Sequence, residues 1–256
     1  MKKVIYILSA IAIILVVSCT KESATSTTAI GNDGTGVGGS TARFAIVGNT
    51  LYTVDHTSLN VFDITNPKKP TKLGTSNIGG NDIETIFPRD NNTIIIGSQS
   101  GMYIYNISNP LLLTRTAVVS HFRACDPVVA NQKYAFVTLN SEGFSTTRRC
   151  GGSTNVLLAY NVENLNNVTL LKSYDLTKPK GLGLHGNNLF VCDEFLRWYD
   201  ATNPANLIPK SEFVISAHDI IPLNTSLILV GNDGITQLGF QNDSIWFLSK
   251  IQTAVQ

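Results

Sequence analysis

The chain has 256 residues, and its 19 lysine and arginine residues nearly balance its 18 aspartate and glutamate residues. A chain so close to neutral gives no electrostatic reason to expect binding to nucleic acid or to anionic lipid. What the sequence specifies most clearly is an architecture, and it does not by itself identify a substrate.

The first 18 residues are typical of a bacterial lipoprotein signal peptide. Lys2 and Lys3 precede an apolar stretch, Val4 to Val17, that is too short to span a bilayer comfortably and suits a signal-peptide core. The string Val16-Val17-Ser18-Cys19 resembles a lipobox, which implies cleavage before Cys19 and diacylglycerol on its thiol. We therefore expect a lipid anchor in the cell envelope, with the outer membrane as the expected location. The alternative is an ordinary secretory signal that contains a cysteine by chance.

Residues 19–41 are predicted to form a flexible linker that begins at the lipidated Cys19. From Thr20 onward the segment is rich in Ser, Thr and Gly and has almost nothing to bury. It contains Gly34-Thr-Gly36-Val-Gly38-Gly39, which formally matches the dinucleotide-binding pattern GxGxxG. No strand pattern precedes this string and no helical pattern follows it, so we predict no nucleotide cofactor.

A repeat extends from residue 42 to the end of the chain. Equivalent asparagines mark its units with spacings of 43, 55, 39 and 39 residues, and they are Asn66, Asn109, Asn164, Asn203 and Asn242. A period near 40 residues is typical of an array of small sheets. Each unit has four short apolar runs separated by Gly, Asn, Asp and Pro, and no segment shows a sustained helical period.

These runs predict four strands in each of five units. The first strands are 45–47, 83–87, 127–130, 181–184 and 219–223, and the second are 51–54, 93–96, 134–139, 189–192 and 227–230. The third are 60–64, 102–107, 157–162, 197–201 and 236–240, and the fourth are 71–75, 113–119, 169–176, 211–216 and 244–251. Sheets buried on both faces need neighbours on both sides, which a closed ring supplies. We predict an all-β domain over residues 42–256, a five-bladed β-propeller of four-stranded antiparallel blades; an open solenoid is the alternative.

The strings VFDITNP, IYNISNP and WYDATNP end third strands. In each, an aromatic ring is predicted to fill the seam between two sheets. The Asp or Asn that follows is predicted to accept a hydrogen bond from the backbone two residues on, and the Asn-Pro pair then ends the strand. The ring and acceptor pairs are Phe62-Asp63, Tyr105-Asn106, Tyr160-Asn161 and Tyr199-Asp200.

Three longer strings resemble LVIVD repeats, which form propeller-like domains. They are LYTVDHTSLNVFDITNPKKPTKLG, GMYIYNISNP and LFVCDEFLRWYDATNP. The strings CDPVV, YAFVTL, GLGLHGNNLFVCD and HDIIPL further resemble a group of lipoproteins of Bacteroidota-type bacteria. The resemblance covers roughly residues 43–250 and implies the fold, but it implies no established reaction. The third unit departs from the pattern through an insertion, Asn140 to Thr154.

A set of polar residues is predicted to converge around the propeller axis. It lies on the face that carries the fourth-to-first and second-to-third loops. The set comprises Asp82, Asp126, Asp219, His218, Glu84 and Arg43, with Lys180, His121 and Arg123 close by. Three converging carboxylates repel one another unless a cation or basic side chains neutralise them, so one hypothesis is a calcium, magnesium or polar-ligand site. The simpler interpretation is that the aspartates cap backbone amides where strands begin.

Three cysteines remain after Cys19, so at most one disulfide can form among them. Cys125 begins a first strand, and Cys150 lies in the second-to-third loop of the same blade, on the same face. A disulfide between them would tie down the insertion and contribute about 2–4 kcal/mol. Cys192 would then be a buried free thiol. The rival pairing joins Cys150 to Cys192 of the next blade.

These features predict a monomeric envelope lipoprotein whose propeller binds a protein or a glycan through its loop face. We expect no cofactor, with calcium as the one candidate. One alternative is a surface enzyme, a polysaccharide-active hydrolase or lyase that uses the axial Asp and His residues; another is a structural scaffold. A binding module predicts an exposed apolar or aromatic patch on the loop face, whereas an enzyme predicts an axial pocket with converging carboxylates and a histidine.

Overall fold

The computed structural model describes residues 38–79, 83–120, 127–141 and 154–253. All of these belong to one compact unit, Asp33–Gln256, while a second unit, Met1–Asn32, lies outside the described residues. The described residues form twenty β-strands and contain no helix. In this part of the chain, accordingly, no helical segment has the length and apolar character needed to cross a bilayer.

The twenty strands form five antiparallel sheets of four strands, called blades 1 to 5 here, each with its strands in chain order. Blade 1 comprises β1 (Phe44–Val47), β2 (Thr50–Val54), β3 (Ser58–Asp63) and β4 (Thr71–Asn77), and blade 2 comprises β5 (Ile83–Asp90), β6 (Thr93–Ser98), β7 (Gly101–Asn106) and β8 (Thr114–Ser120). Blade 3 comprises β9 (Val128–Ala130), β10 (Tyr134–Leu139), β11 (Val156–Asn161) and β12 (Thr169–Asp175). Blade 4 comprises β13 (Leu182–His185), β14 (Asn188–Cys192), β15 (Leu196–Asp200) and β16 (Ile208–Phe213), and blade 5 comprises β17 (Asp219–Pro222), β18 (Ser226–Gly231), β19 (Gly234–Gln241) and β20 (Ser244–Gln252).

The prediction of five four-stranded antiparallel sheets is confirmed, and nineteen of the predicted runs begin within two residues of the observed strand. The exception is the fourth strand of blade 4, which was expected at 211–216 and is found at Ile208–Phe213. There Ile208 pairs with Asp200 and Pro209 pairs with Tyr199. Proline is tolerated because this is an outer strand with one free edge. The segment that begins at Val214 therefore belongs to a connection and not to a strand.

The core consists of four apolar clusters, each between two consecutive blades. They join blades 1 and 2, blades 2 and 3, blades 3 and 4, and blades 4 and 5. Blades 2, 3 and 4 therefore pack on both faces, and every residue of β6 is buried. Blades 1 and 5 each place one face in a cluster, and within the described residues no such cluster lies between these two blades.

The predicted turn chemistry at the end of the third strands is confirmed. Asp63, Asn106, Asn161 and Asp200 each accept a hydrogen bond from the backbone N–H two residues on, over 2.8–2.9 Å. Blade 5 differs, because β19 and β20 are joined by a two-residue hairpin turn. Its residues Asn242 and Asp243 have φ angles of 49° and 57°, which is the left-handed geometry of a type I′ turn.

Candidate functional site

The buried carboxylate of Asp219 connects the segment that enters blade 1 to the start of β17. Its Oδ1 accepts hydrogen bonds from Ser40 Oγ at 2.8 Å and from the N–H of Ile220 at 3.0 Å. Its Oδ2 accepts from the N–H of Thr41 at 3.1 Å and from Thr41 Oγ1 at 2.6 Å. Ser40 Oγ in turn accepts the N–H of Leu182 in blade 4 at 2.8 Å. Asp219 thus acts as a cap that holds blades 1, 4 and 5 together at one point.

Two glycines provide the space that this carboxylate occupies. A Cβ atom at Gly39 would lie 2.0 Å from Asp219 Oδ2, and one at Gly181 would lie 2.3 Å from Asp219 Oδ1. Both distances are far below van der Waals contact, so a side chain at either position would displace the carboxylate. Gly39 belongs to the predicted linker, and the described end of that linker is therefore packed against blade 5.

Two further members of the predicted axial set form local hydrogen bonds. His218 Nε2 lies 2.6 Å from Asn232 Oδ1, within hydrogen-bond distance. Glu84 Oε1 accepts from Gln99 Nε2 at 3.2 Å. Each of these contacts joins the start of a first strand to a second-to-third turn of the same blade. These contacts order the loop face, the face that carries the connections between blades and the turns between second and third strands.

Arg43 lies at the first-strand entry of blade 1 and reaches blade 2. Its Nη2 donates to the carbonyl of Ile83 at 2.6 Å, and its Nε has no hydrogen-bond partner in the part of the chain that is described. Asp82 immediately precedes Ile83, but Asp82 and Asp126 lie outside the described residues. Among the residues that are described, no three His, Cys, Asp or Glu side chains are grouped so that they could hold a metal ion. The convergence of the three carboxylates stays a prediction.

The described residues include one of the four cysteines. Cys192 is buried and free, in agreement with the prediction for this thiol. Burial raises the pKa of the Cys192 thiol far above its ordinary value, so the thiol is protonated and unreactive. Cys19, Cys125 and Cys150 lie outside the described residues, so the predicted lipidation and the predicted disulfide stay predictions.

Asp193 organises the loop face of blade 4, although its sequence context had not singled it out. Its fully buried carboxylate accepts the N–H of Thr177 at 3.1 Å and the N–H of Lys178. It also pairs with Arg197 Nε at 3.0 Å, and Arg197 bonds Glu212 as well. The β12–β13 connection is thereby attached to the β14–β15 turn. The sequence did contain a signal for this role, because an aspartate directly after a second strand is well placed to accept backbone N–H groups of the adjoining loop.

A cleft of about 480 Å³ opens on the loop face at blade 5, and we call it the blade 5 cleft. Its residues come from the β16–β17 connection, the β18–β19 turn and the strands beside them. They are Val214, Ile215, Ser216, Leu229, Gly231, Asn232, Asp233, Gly234, Thr236, Phe247 and Lys250. The side chain of Val214 is 90% exposed and that of Phe247 is 63% exposed. Two apolar side chains therefore stand in solvent beside one concave surface.

The rim of the blade 5 cleft is polar and charged. Lys250 Nζ donates to the carboxylate of Asp233, and this hydrogen bond holds the pKa of Asp233 below its ordinary value. Asn232, fixed by its contact with His218, adds an amide beside this ion pair. An apolar floor with a polar rim is the arrangement found in protein interfaces. Chemically, the cleft suits a partner that presents an apolar side chain next to hydrogen-bonding groups.

Comparisons with known proteins support the fold and leave the family open. No protein-family model matches the chain, and no curated protein matches its sequence. A protein from Lactobacillus plantarum is 16% identical with a TM-score of 0.58, over 79% of this chain and 67% of that one. A functionally unknown protein from Desulfotomaculum acetoxidans is 10% identical with a TM-score of 0.62, over 86% and 70%. The periplasmic gluconolactonase of Pseudomonas aeruginosa is 12% identical with a TM-score of 0.58, over 80% and 68%.

Likeness at such low identity establishes the fold alone. Together with the five antiparallel sheets, it shows that the chain is a β-propeller of four-stranded blades. This confirms the predicted fold class. The resemblance to LVIVD repeats and to lipoproteins of the Bacteroidota type stays an expectation from the sequence.

Proposed function

We propose that this protein is a lipid-anchored lipoprotein of the cell envelope whose propeller is a binding module, and that its contact surface is the blade 5 cleft. The observation that carries this proposal is the exposure of Val214 and Phe247, which both line the same cleft. A single exposed apolar residue is ordinary on a protein surface, but a rimmed apolar cleft is typical of an interaction site. Its position on the loop face agrees with the binding surface expected from the sequence.

A protein partner suits the cleft better than a glycan does. Val214, Ile215 and Leu229 give it a largely aliphatic wall, and Phe247 is the one aromatic ring among its residues. Aliphatic walls bind apolar side chains, whereas sugar rings are usually bound by planar aromatic surfaces surrounded by hydrogen-bonding groups. Burial of an apolar partner side chain between Val214 and Phe247 would stabilise the complex by about 1.5–3 kcal/mol.

The lipoprotein part of the proposal rests on the N-terminal sequence. Lys2, Lys3, the apolar stretch and Val16-Val17-Ser18-Cys19 support export and lipidation, and the resemblance to LVIVD-repeat lipoproteins supports the same assignment. Metabolic labelling with a radioactive fatty acid tests it. We expect label on the parent chain and none on the C19S variant, and label on both variants would contradict lipidation at Cys19.

Site-specific photo-crosslinking in producing cells tests the cleft. A photoreactive amino acid at position 214 should give an adduct of defined mass that disappears in the F247S background. Position 208 is the matched control, because Ile208 is likewise an exposed apolar residue but lies in β16, outside the cleft. Equal adducts from positions 208 and 214, or an adduct from 214 that persists in F247S, would contradict the proposal.

A further inference from the structure

Four turns at the end of the propeller opposite the loop face share one geometry. Each third strand runs from the loop face to the other end of its blade, so the turn after it lies at that opposite end. In blades 1 to 4 the asparagine of the repeat accepts, through Oδ1, the N–H two residues on, and its carbonyl accepts the N–H three residues on. The accepted pairs are Lys68 and Lys69, Leu111 and Leu112, Asn166 and Asn167, and Ala205 and Asn206.

These eight residues occupy equivalent positions, yet their chemistry differs sharply between blades. Blade 2 presents two leucines that are 73% and 67% exposed, Leu111 and Leu112. The turn does not require them, because Ala205 and Asn206 form the same backbone hydrogen bonds in blade 4. Two exposed leucines at the tip of a turn therefore have no structural role that the neighbouring turns reveal.

The leucine tip is held firmly by the rest of blade 2. Leu113 packs against the cluster between blades 1 and 2, and Arg115 donates to the carbonyl of Ile78 at 3.3 Å. A cleft of about 210 Å³ separates Leu111 and Leu112 from the outer strand β4 of blade 1. The leucines thus project from a packed base and are not part of a loose loop.

The adjacent tip in blade 1 carries positive charge. Lys68 and Lys69 are exposed, and neither forms an ion pair with any residue the structure describes. The carboxylate nearest to them in the turn, Asp63, accepts hydrogen bonds from Thr65. Residues 63–70 thus carry two lysines against one carboxylate, which leaves a net positive charge beside the apolar tip although the whole chain is nearly neutral.

We infer that Lys68, Lys69, Leu111 and Leu112, called the tip quartet here, bind an anionic lipid surface. Apolar side chains that project from a rigid base can enter the boundary between headgroups and acyl chains, while adjacent lysines contact the phosphates. A protein partner is less suitable, because the exposed lysines of the neighbouring turn complement an anionic lipid surface. The inference does not depend on lipidation of Cys19. If both hold, the blade 5 cleft lies at the end that points away from the membrane.

Co-sedimentation with vesicles tests this inference on unlipidated protein. Residues 20–256 are suitable, because every described contact and all four core clusters lie within residues 38–253. We expect binding to vesicles of equal parts phosphatidylglycerol and phosphatidylcholine that weakens with added salt. Binding to phosphatidylcholine alone should be weaker by about fivefold for each lysine in contact with the surface.

The variants copy turns that the protein already contains. L111A/L112N reproduces the blade 4 turn, and it should reduce binding to both vesicle compositions about tenfold or more. K68A/K69N should remove the preference for phosphatidylglycerol and leave the weaker binding to phosphatidylcholine. V214S, at the opposite end of the propeller, is the control and should bind like the parent.

Three results would overturn the inference. The first is that the parent chain sediments with neither vesicle composition. The second is that L111A/L112N sediments as well as the parent, and the third is that V214S loses as much binding as L111A/L112N does. Thermal unfolding of each variant shows whether the propeller is intact, so a loss of fold is not mistaken for a loss of lipid contact.

Discussion

Blade 3 and blade 1 arise from the same repeat, yet blade 3 is buried on both faces and blade 1 on one. In blade 3, β10 and β11 are apolar at almost every position, with Tyr134–Leu139 and Val156–Asn161 nearly all buried. In blade 1, β3 alternates, with Leu59 and Val61 buried while the residues between and beside them are half-exposed. The difference shows that the apolar content of each copy of the repeat matches how many of its faces are covered by apolar packing in the described residues.

Blade 5 mirrors blade 1 at the other end of the array. Its Leu227, Leu229 and Leu238 pack towards blade 4, whereas Val230 and Ile235 on the opposite face are exposed. The recurring ring position follows this contrast only in part: Tyr105 and Tyr160 are buried between blades as predicted, whereas Phe62 of blade 1 and Tyr199 of blade 4 are half-exposed. Blades 1 and 5 are connected through Asp219, which makes that cap the point where the array depends on polar contacts.

The largest expected effect is a loss of packing in an inner blade. Phe136 is fully buried in β10, and F136A should lower the free energy of unfolding by about 3–5 kcal/mol. F44A removes a ring that is 55% exposed on the free face of blade 1, and it should cost less than about 1 kcal/mol. Denaturant unfolding measures both. Equal losses would mean that the free face of blade 1 is covered in solution.

Removal of the Asp219 cap should have the next largest effect. D219A leaves the hydroxyls of Ser40 and Thr41 and the N–H of Thr41 without their acceptor, which should cost about 2–3 kcal/mol. D233A removes an exposed ion pair with Lys250, which solvent screens, and should lower the free energy of unfolding far less than D219A does.

Amide hydrogen exchange locates the damage. In D219A the N–H of Thr41 and the N–H of Leu182 should exchange faster than in the parent, while the N–H of Ile95 in blade 2 should be unchanged. A uniform rise in exchange throughout the protein would argue that Asp219 supports the whole array and not one junction.

A cation bound at the propeller axis by Asp82, Asp126 and Asp219 would connect blades 2 and 3 to blade 5. If Asp82 and Asp126 converge with Asp219 as predicted, calcium should raise the unfolding temperature of the parent chain. D82A/D126A should abolish that shift and leave the Asp219 cap intact. A calcium-induced shift that persists in the double variant would exclude this site.

The smallest expected effect is on stability in acid. The turns after the third strands of blades 1 and 4 use the titratable acceptors Asp63 and Asp200, whereas those of blades 2 and 3 use asparagine. Hydrogen bonds from Thr65 and Thr202, first from the side chain and then from the backbone, hold the pKa values of Asp63 and Asp200 below their ordinary value. The unfolded value is about 3.9, so this stabilisation is present above about pH 3.9 and is lost as the pH falls through the lower folded pKa.

Blades 2 and 3 use Asn106 and Asn161 in the same turn, so D63N/D200N keeps the acceptor and removes the titration. The free energy of unfolding of this variant should fall less steeply than that of the parent between about pH 4 and pH 2. Identical slopes for the two proteins would show that these carboxylates do not contribute to acid sensitivity.

Much of the fold could be predicted because strand signals are local. Apolar runs, Asx turns and Asn-Pro pairs depend on neighbours within a few residues, and they placed the start of nineteen of the twenty strands within two residues. The exception is instructive. Ser211–Ser216 has the residue preferences of a strand, but the pairing of Tyr199 with Pro209 sets the register of β16 and leaves Val214 in the connection. The blade 5 cleft was not predictable either, because Val214 and Ile215, which line it, were assigned to that strand.

The sequence alone determined the number of blades, their strands and the turns that end them, because each depends on contacts within one unit of about 40 residues. The tertiary structure decided which faces find a partner, where the carboxylate of Asp219 is enclosed, and which apolar side chains stay in solvent. Those outcomes join residues up to 179 positions apart, and no local pattern specifies which distant backbone will meet them.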